Sequence, residues 1–187
     1  MSNLRIDAAA RREQILDAAE VVYSEHGMTV PLELVVQQAR IGRATLYRNF
    51  PDRADLIQAL LGRSLQALQD EANGLADRND ALFVLLERMA NNIAQSAPLV
   101  DYWRAVEPSN ELIGLARQRM AQIFKHPLQR AIQAGLCRAD LQLLDLPLIA
   151  GMLGAALRGT SPAERRVLAE RALDLLRTGL SRPSLKD

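Results

Sequence analysis

The chain has 187 residues, of which 49% are hydrophobic and 24% are charged, and 23 basic against 22 acidic residues give a formal net charge of +1. This composition is typical of a soluble globular protein and excludes a disordered chain, because enough apolar surface is available to offset the chain entropy lost on folding. The 10 glycines and 8 prolines also exclude collagen-like and low-complexity chains. The length fits one domain or two small ones.

The sequence lacks the patterns typical of membrane spans, signal peptides, metal sites and common catalytic or phosphate-binding motifs. No stretch approaches the roughly 18 apolar residues of a membrane span, and the N-terminal residues lack the apolar core of a signal peptide. A single cysteine, Cys137, suits a reducing compartment. His26 and His126 have no metal-ligand spacing around them, and no phosphate-binding glycine loop or Gly-x-Ser-x-Gly motif occurs. We therefore expect a cytoplasmic protein with no membrane contact, no metal, no cofactor and no catalytic site.

The N-terminal third predicts four helices in an unusual order: one long, two of about two turns each, and one long. Their expected ranges are about 7–26, 32–39, 43–50 and 52–71. Asp7 and Asp52 are suited to the N-caps of the two long helices, and Gly27 to the C-cap of the first. Two short helices joined by a turn of three or four residues are the helix-turn-helix arrangement. The side chains expected to face inward are Val35, Ala39, Ile41, Leu46 and Phe50.

The rest of the chain predicts further helices, which makes an all-helical protein of about nine helices without a convincing strand. The expected ranges are about 77–95, a short helix between Pro98 and Pro108, 109–135 with a bend at Pro127, 145–159 and 161–180. Asp145 is expected to cap one of these helices because a proline follows in the first turn. The run from Ser161 to Glu164 predicts a capping box.

The segment VPLELVVQQARIGRATLYRNFPDRADLI, residues 30–57, resembles the DNA-binding domain of the TetR family of bacterial transcriptional regulators. In that family the helix-turn-helix ends in Thr-Leu-Tyr-x-x-Phe, which here begins at Thr45. A basic residue follows a few places later, here Arg53, and a glycine lies about 18 residues before the threonine, here Gly27. The resemblance by motif covers about residues 8–63, and it implies a helix-turn-helix that binds DNA.

Two positions of the turn depart from the family pattern. Arg40 stands where the family usually has a glycine, so Arg40 must adopt a conformation that glycine adopts more easily, or the turn differs locally. Gly42 stands where a serine or threonine usually caps the recognition helix, and glycine is tolerated at that position. Neither departure removes the expectation of a helix-turn-helix.

Positive charge is concentrated around the expected recognition helix. Between residues 40 and 53 four arginines face one acid, a local charge of +3, whereas residues 1–63 carry eight basic and eight acidic groups. Arginine can reach guanine edges or phosphates, hydroxyl groups can donate to phosphate, and a small residue lets the backbone approach DNA. The expected DNA contacts are Arg40, Gly42, Arg43, Ala44, Thr45, Tyr47, Arg48 and Arg53.

The resemblance implies that residues 1–63 form the DNA-binding domain and that residues 64–187 bind an effector and dimerise, with the fourth helix as the link. Aromatic residues in the middle of the chain weakly favour a small apolar or aromatic effector, although core packing explains such a cluster equally well. The candidate ligand contacts are Phe83, Leu86, Met89, Leu99, Tyr102, Trp103, Met120 and Phe124.

The last two helices offer aliphatic faces suited to a four-helix interface in a two-fold dimer. The candidate residues are Leu148, Met152, Ala155, Leu168 and Leu175, and the alternative is that these faces only close the core of one subunit. The predicted function is a homodimeric regulator, most readily a repressor, that binds a palindromic double-stranded operator and responds to a small molecule. The alternatives are an all-helical enzyme and a helical small-molecule or protein-binding module without DNA binding.

Overall fold

The computed structural model describes residues 2–95 and 111–181, which form eight α-helices and no strand. The helices are α1 (Ser2–His26), α2 (Leu32–Gln38), α3 (Arg43–Asn49), α4 (Arg53–Gly74), α5 (Ala81–Gln95), α6 (Glu111–Gln133), α7 (Leu146–Leu153) and α8 (Pro162–Leu180). Two 3₁₀ turns, Leu143–Asp145 and Gly154–Arg158, flank α7. The all-helical class is therefore confirmed, while the helix expected between Pro98 and Pro108 lies outside the described residues.

The helices form two compact units, residues 2–63 and residues 64–95 with 111–181. In the first unit α1, α2, α3 and the start of α4 surround one hydrophobic core. Its fully buried members include Ile15, Ala19, Val35, Leu46 and Phe50. A two-turn helix is unstable alone in water, so this core is what keeps α2 and α3 folded.

The ends of the first long helix follow the sequence only in part. Gly27 adopts a φ of +83°, and its amide donates to the carbonyl oxygen of Tyr23 at 3.0 Å, so the predicted C-cap is confirmed. The predicted N-cap at Asp7 is wrong, since α1 begins at Ser2 and passes through Asp7. Three alanines follow Asp7, and alanine has the highest helix propensity. The predicted cap of α4 is confirmed, because the Asp52 carboxylate accepts a hydrogen bond from the Asp55 amide at 2.9 Å.

In the second unit α5 packs against both α6 and α8. Leu82, Leu85, Leu86, Phe124 and Leu153 are the largest side chains sealed inside it. Helix α6 continues through Pro127 and ends at Gln133, and Gly135 in the turn that follows has a φ of +67°. Within the described ranges no helix is long and apolar enough to cross a membrane.

Two predicted caps of the second unit need correction. Asp145 does not cap α7 with its side chain; it belongs to a 3₁₀ turn, and its carboxylate accepts from the Gln142 amide at 2.8 Å. The Ser161 hydroxyl does accept from the Glu164 amide at 3.2 Å, as a capping box requires. The Glu164 carboxylate, however, accepts from the amide and hydroxyl of Thr160, both at 2.7 Å. Ser161 thus caps the first turn of α8, whereas Glu164 bonds Thr160, the residue before the cap, and the reciprocal bond of a capping box is not formed.

The predicted start of α5 at residue 77 is four residues early. Arg78 and Asp80 form a two-bonded ion pair just before the helix, at 2.8 and 2.6 Å. The carbonyl oxygen of Asp80 then accepts from the amides of Phe83 and Val84, which opens the first turn. The local pairing of Arg78 with Asp80 stabilises a turn where helical periodicity alone predicts helix.

Candidate nucleic-acid interface

Helix α3 divides its residues between a buried and an exposed face. Leu46 and Phe50 are 0% and 1% exposed and anchor the helix in the first unit. Arg43, Ala44, Tyr47 and Arg48 follow the spacing of one helical face, and all four are exposed. The exposed fraction of Tyr47 is 44%, which is high for an aromatic residue. The local sequence therefore folds into a short helix that presents two cations and a phenol to solvent.

The turn before α3 resolves the departure at Arg40. Arg40 has a φ of +51°, so it adopts the left-handed conformation that glycine adopts more easily. Its amide donates to the carbonyl oxygen of Gln37 at 3.1 Å, and the Ile41 amide donates to that of Val36 at 3.2 Å. These two hydrogen bonds form a Schellman motif, which satisfies the last carbonyl groups of α2. The turn has the expected geometry, with an exposed arginine at its left-handed position.

Gly42 caps α3 through its backbone alone. It has an extended conformation, and its carbonyl oxygen accepts from the amides of Thr45 and Leu46 at 2.9 and 3.3 Å. A Cβ atom built on Gly42 meets no atom within 4 Å. Nothing at this position therefore requires glycine, and the site has room for the serine or threonine that is usual there.

Arg43 is held across the turn by an acidic residue that the sequence analysis did not single out. Its guanidinium forms an ion pair with the carboxylate of Glu33, in the first turn of α2. The pKa of Glu33 is lowered by a hydrogen bond from its own backbone and by the pairing with Arg43. Because both side chains are substantially exposed, this ion pair contributes little to stability. It orients Arg43, and another anion can replace the Glu33 carboxylate.

Thr45, Arg48 and the end of α3 are linked by local hydrogen bonds. The Arg48 guanidinium donates to the Thr45 hydroxyl oxygen at 3.2 Å, and the Asn49 amide group donates to the Thr45 carbonyl oxygen at 2.8 Å. Thr45 is half-buried, so its hydroxyl lies at the border of the exposed face rather than on it. Arg48 remains exposed and free to move because this single neutral contact is weak.

Arg53 differs from the other predicted contacts. Its guanidinium donates to the main-chain carbonyl oxygens of Met28 and Val30, in the loop between α1 and α2. Burial raises the pKa of the neighbouring Tyr23, and the positive charge of Arg53 opposes that shift. In this conformation the side chain of Arg53 fixes a loop of the first unit, a role that the sequence analysis did not foresee.

Helix α1 supplies two further side chains that position the helix-turn-helix. Arg12 lies over the ring of Phe50, 4.2 Å from its centroid, and donates to the carbonyl oxygen of Asn49 at 3.0 Å. Gln14 donates to the carbonyl oxygen of Ala39 at 2.7 Å. The two side chains therefore hold the C-terminal ends of α3 and α2. Both contacts join residues at least 25 positions apart, so no local spacing could have predicted them.

Comparison with known proteins assigns the chain to a family. A family model described as bacterial regulatory proteins, tetR family, matches residues 15–60, from α1 into α4. The TetR transcriptional regulator SCO0520 from Streptomyces coelicolor, a solved structure, is 31% identical with a TM-score of 0.68, and the match covers 92% of this chain and 99% of that chain. The chain belongs to the TetR family of transcriptional regulators. This membership removes the all-helical enzyme as an alternative.

Curated members of the TetR family match over shorter spans. The HTH-type transcriptional repressor LfrR of Mycolicibacterium smegmatis is 35% identical over 83 residues, which cover 43% of this chain and 41% of that protein. The HTH-type transcriptional repressor BepR of Brucella suis biovar 1 is 26% identical over 141 residues, 62% of this chain and 66% of that protein. The chain thus matches less than two thirds of the length of either relative. A TetR protein from Mycobacterium vanbaalenii shares the fold at 24% identity and a TM-score of 0.70, over 96% of this chain and 99% of that chain.

Of the eight predicted ligand contacts, five lie within the described residues of this TetR-family chain. Leu86 and Phe124 are fully buried, Met89 is nearly so, and Phe83 and Met120 are half-buried. This burial agrees with core packing, the alternative interpretation of the aromatic cluster, and contact of these residues with a ligand stays a prediction. Leu99, Tyr102 and Trp103 lie outside the described residues.

The predicted dimerisation residues, on α7, on α8 and in the 3₁₀ turn after α7, are exposed in the single chain. The exposed fractions of Leu148, Met152 and Leu175 are 59%, 45% and 57%, and Leu168 and Ala155 are exposed as well. Val167, which the sequence analysis did not single out, is 63% exposed on α8. Exposed large apolar side chains in such number on two adjacent helices are typical of an interface.

Proposed function

We propose that the protein is a homodimeric repressor that binds a two-fold symmetric double-stranded DNA operator. The observation that carries this proposal is the exposed face of α3, where Arg43, Ala44, Tyr47 and Arg48 project from a helix anchored by buried side chains. An exposed short helix with one arginine at its start and another in its last turn fits the major groove, where arginine recognises guanine and tyrosine can donate to phosphate. Such a protein acts on DNA in the cytoplasm of a bacterium.

Arg43 is the leading candidate for base recognition. It stands in the first turn of α3, the part of a recognition helix that contacts base edges. Its only charged partner among the described residues is Glu33, which is itself exposed. A DNA phosphate or guanine can take the place of that carboxylate, and Glu33 then acts as a competitor that weakens binding to incorrect sequences.

Dimerisation through α7 and α8 would supply the second recognition helix. A two-fold axis brings the same apolar patch of each subunit together, so Leu148, Met152 and Leu175 of both subunits would be buried. Two α3 helices one helical turn of DNA apart would match two half-sites. A small effector bound in residues 64–187 would then favour a conformation in which this spacing no longer fits, and by linkage DNA would weaken effector binding equally.

The test of DNA binding starts from selection of bound duplexes from a random pool with the purified full chain. The selected duplex is then titrated against the wild type, Arg43→Ala and Tyr47→Ala by fluorescence anisotropy. We expect a two-fold symmetric motif and an affinity loss of about fivefold to a hundredfold for Arg43→Ala, the range for one arginine–guanine contact. Affinity should fall steeply with salt because phosphate contacts release counterions.

Arg117→Ala is the matched control for this titration, since Arg117 is an exposed arginine on α6, outside the proposed dimer interface. It removes the same charge from the chain without touching α3 and should leave the affinity unchanged. If Arg117→Ala and Arg43→Ala weaken binding equally, α3 does not recognise the DNA sequence. If a folded dimer selects no motif even at low salt, the DNA-binding proposal fails and a binding module without DNA becomes the better reading.

The dimer is tested by sedimentation equilibrium of the wild type and Leu148→Asp. Leu148→Asp would place one carboxylate from each subunit in the buried interface. Because both charges would lose water without gaining a partner, we expect dissociation to monomers at micromolar concentration. Leu115→Asp is the control, because Leu115 is 53% exposed on α6 and lies outside the proposed interface. A dimer that survives Leu148→Asp, or one that Leu115→Asp disrupts equally, would contradict the proposed interface.

A further inference from the structure

A groove of about 420 Å³ lies in the second unit between α4 and α6. None of the five predicted ligand contacts that the structure describes lines it. Its floor is apolar, because Ala72, Ile123 and Pro127 are buried there. Its rim is polar and includes side-chain amides from both helices, among them Gln69 and Asn73. The volume lies within the usual range of small-molecule sites, roughly 300–1,000 Å³.

One side chain of fixed positive charge, Arg130, lines the groove. Arg130 and His126, one helical turn apart on α6, both line it, and no aspartate or glutamate does so in the described part of the chain. The Nε atom of Arg130 is shielded from solvent and has no hydrogen-bond partner among the described residues. A guanidinium that has lost water at Nε without gaining an acceptor there is destabilised, and an anion that pairs with its two terminal nitrogen atoms from the groove offsets part of that cost.

The rim also offers a neutral donor next to the cation. The Gln69 side chain donates to the Oδ1 atom of Asn73 at 3.1 Å. This hydrogen bond occupies the acceptor side of the Asn73 amide and leaves its NH₂ group available to donate. Donors on α4 and a cation on α6 thus face a common apolar floor.

We propose that this groove binds a small organic carboxylate. Its anionic head pairs with Arg130 and accepts from Asn73, and its apolar body lies on Ala72, Ile123 and Pro127. A carboxylate suits a guanidinium because two parallel hydrogen bonds can form between them. This ligand is amphiphilic, unlike the purely apolar or aromatic effector that the sequence suggests. The proposal that a carboxylate binds depends only on the groove, whereas its role as the effector rests on the proposed function.

Isothermal titration calorimetry of the full chain with hexanoate, benzoate and hexanamide tests the charge requirement. We expect at least one carboxylate to bind saturably at millimolar concentration or below, and hexanamide to bind at least about tenfold more weakly than hexanoate, since it keeps the body and loses the charge. Arg130→Gln should weaken carboxylate binding about tenfold or more. Arg117→Gln removes an exposed arginine from the same helix outside the groove and should leave binding unchanged.

Each contrary result overturns the site. The proposal fails if neither carboxylate gives saturable heat, if hexanamide binds as tightly as hexanoate, or if Arg130→Gln with an unchanged circular dichroism spectrum binds like the wild type. Addition of the binding carboxylate to the protein–DNA complex separates the two proposals. Release of DNA supports the effector role, and binding without release refutes that role alone. If the wild type binds no DNA, the proposed function fails while calorimetry still decides the groove.

Discussion

Replacement of Arg53 by methionine separates a structural role of this arginine from contact with phosphate. The guanidinium donates to the main-chain carbonyl oxygens of Met28 and Val30. Methionine keeps an unbranched apolar stem but has no donor, so the substitution leaves both carbonyl oxygens without this partner. We expect the free energy of unfolding to fall by about 2–3 kcal/mol.

The magnitude follows from the two hydrogen bonds and their surroundings. A hydrogen bond from a charged donor contributes about 1.5–3 kcal/mol net, so two independent bonds would reach roughly 3–6 kcal/mol. Arg53 and Val30 are only half-buried, and water can replace part of each bond. The two bonds also fix the same short loop, so their contributions are not additive. Both effects move the expected loss below the lower end of that sum, to about 2–3 kcal/mol.

Urea unfolding followed by circular dichroism measures this loss for the wild type, Arg53→Met and Arg48→Met. Arg48 is the matched control, because it is an exposed arginine of the same helix-turn-helix and its side chain makes one 3.2 Å hydrogen bond, to Thr45. Its replacement should change the free energy of unfolding by no more than about 0.5 kcal/mol. The comparison cancels the general effect of removing one positive charge.

One pair of results would refute the structural role. If Arg53→Met is as stable as Arg48→Met, the bonds to Met28 and Val30 do not stabilise the protein. If the same variant also binds the selected DNA as poorly as Arg43→Ala, Arg53 contacts phosphate, as the sequence predicts. A destabilised variant that, when folded at low temperature, still binds DNA within about twofold of the wild type supports the structural role.

Three further substitutions test other features. Arg40→Gly should raise the free energy of unfolding, measured in urea, by about 0.5–1 kcal/mol. The left-handed conformation costs a non-glycine residue roughly 1–2 kcal/mol, and the greater chain entropy of glycine in the unfolded state offsets part of that gain. A loss of stability would contradict the observed turn. Glu33→Gln should tighten operator binding severalfold in anisotropy titrations by releasing Arg43, and weaker binding would make Glu33 a support rather than a competitor. The pKa of Glu164 is lowered by hydrogen bonds from the Thr160 hydroxyl and amide, so its stabilisation is complete above its ordinary pKa near 4.3 and is lost as the pH falls through the lowered value. The stability difference between wild type and Glu164→Gln should therefore shrink between about pH 6 and about pH 3, and a constant difference would exclude this linkage.

Local signals in the sequence predict most of the first unit. The cap at Gly27, the cap at Asp52 and the buried pair Leu46 and Phe50 depend on residues within a few positions of one another. The conformation of Arg40 could not be predicted in this way, because the sequence permits either a left-handed arginine or a turn of different local geometry. The Schellman hydrogen bonds and the packing of α2 select the left-handed one, so the outcome belongs to the tertiary structure.

The roles of the individual arginines could not be predicted in the same way. An arginine-rich segment indicates positive charge, but it does not tell which guanidinium finds a partner within the protein. Arg53 binds carbonyl groups 23 and 25 positions away, and Arg12 binds one 37 positions away. The candidate ligand contacts meet a related difficulty. Residue type cannot distinguish a cavity wall from a core, because a cavity depends on how closely two helices approach.

The placement of the acids explains how a unit with equal numbers of basic and acidic groups can still bind an anionic polymer. Glu13, Asp17 and Glu20 follow one face of α1 and gather around Arg63 on α4, with N–O distances of 3.3, 2.6 and 2.7 Å. Three of the eight acids of residues 1–63 are thereby paired with one arginine. Carboxylates that are paired with Arg63 at the α1–α4 contact contribute less negative potential at α3. The field at α3 therefore depends on helix packing as much as on composition, and Arg63→Ala should free three carboxylates and weaken binding of DNA at low salt.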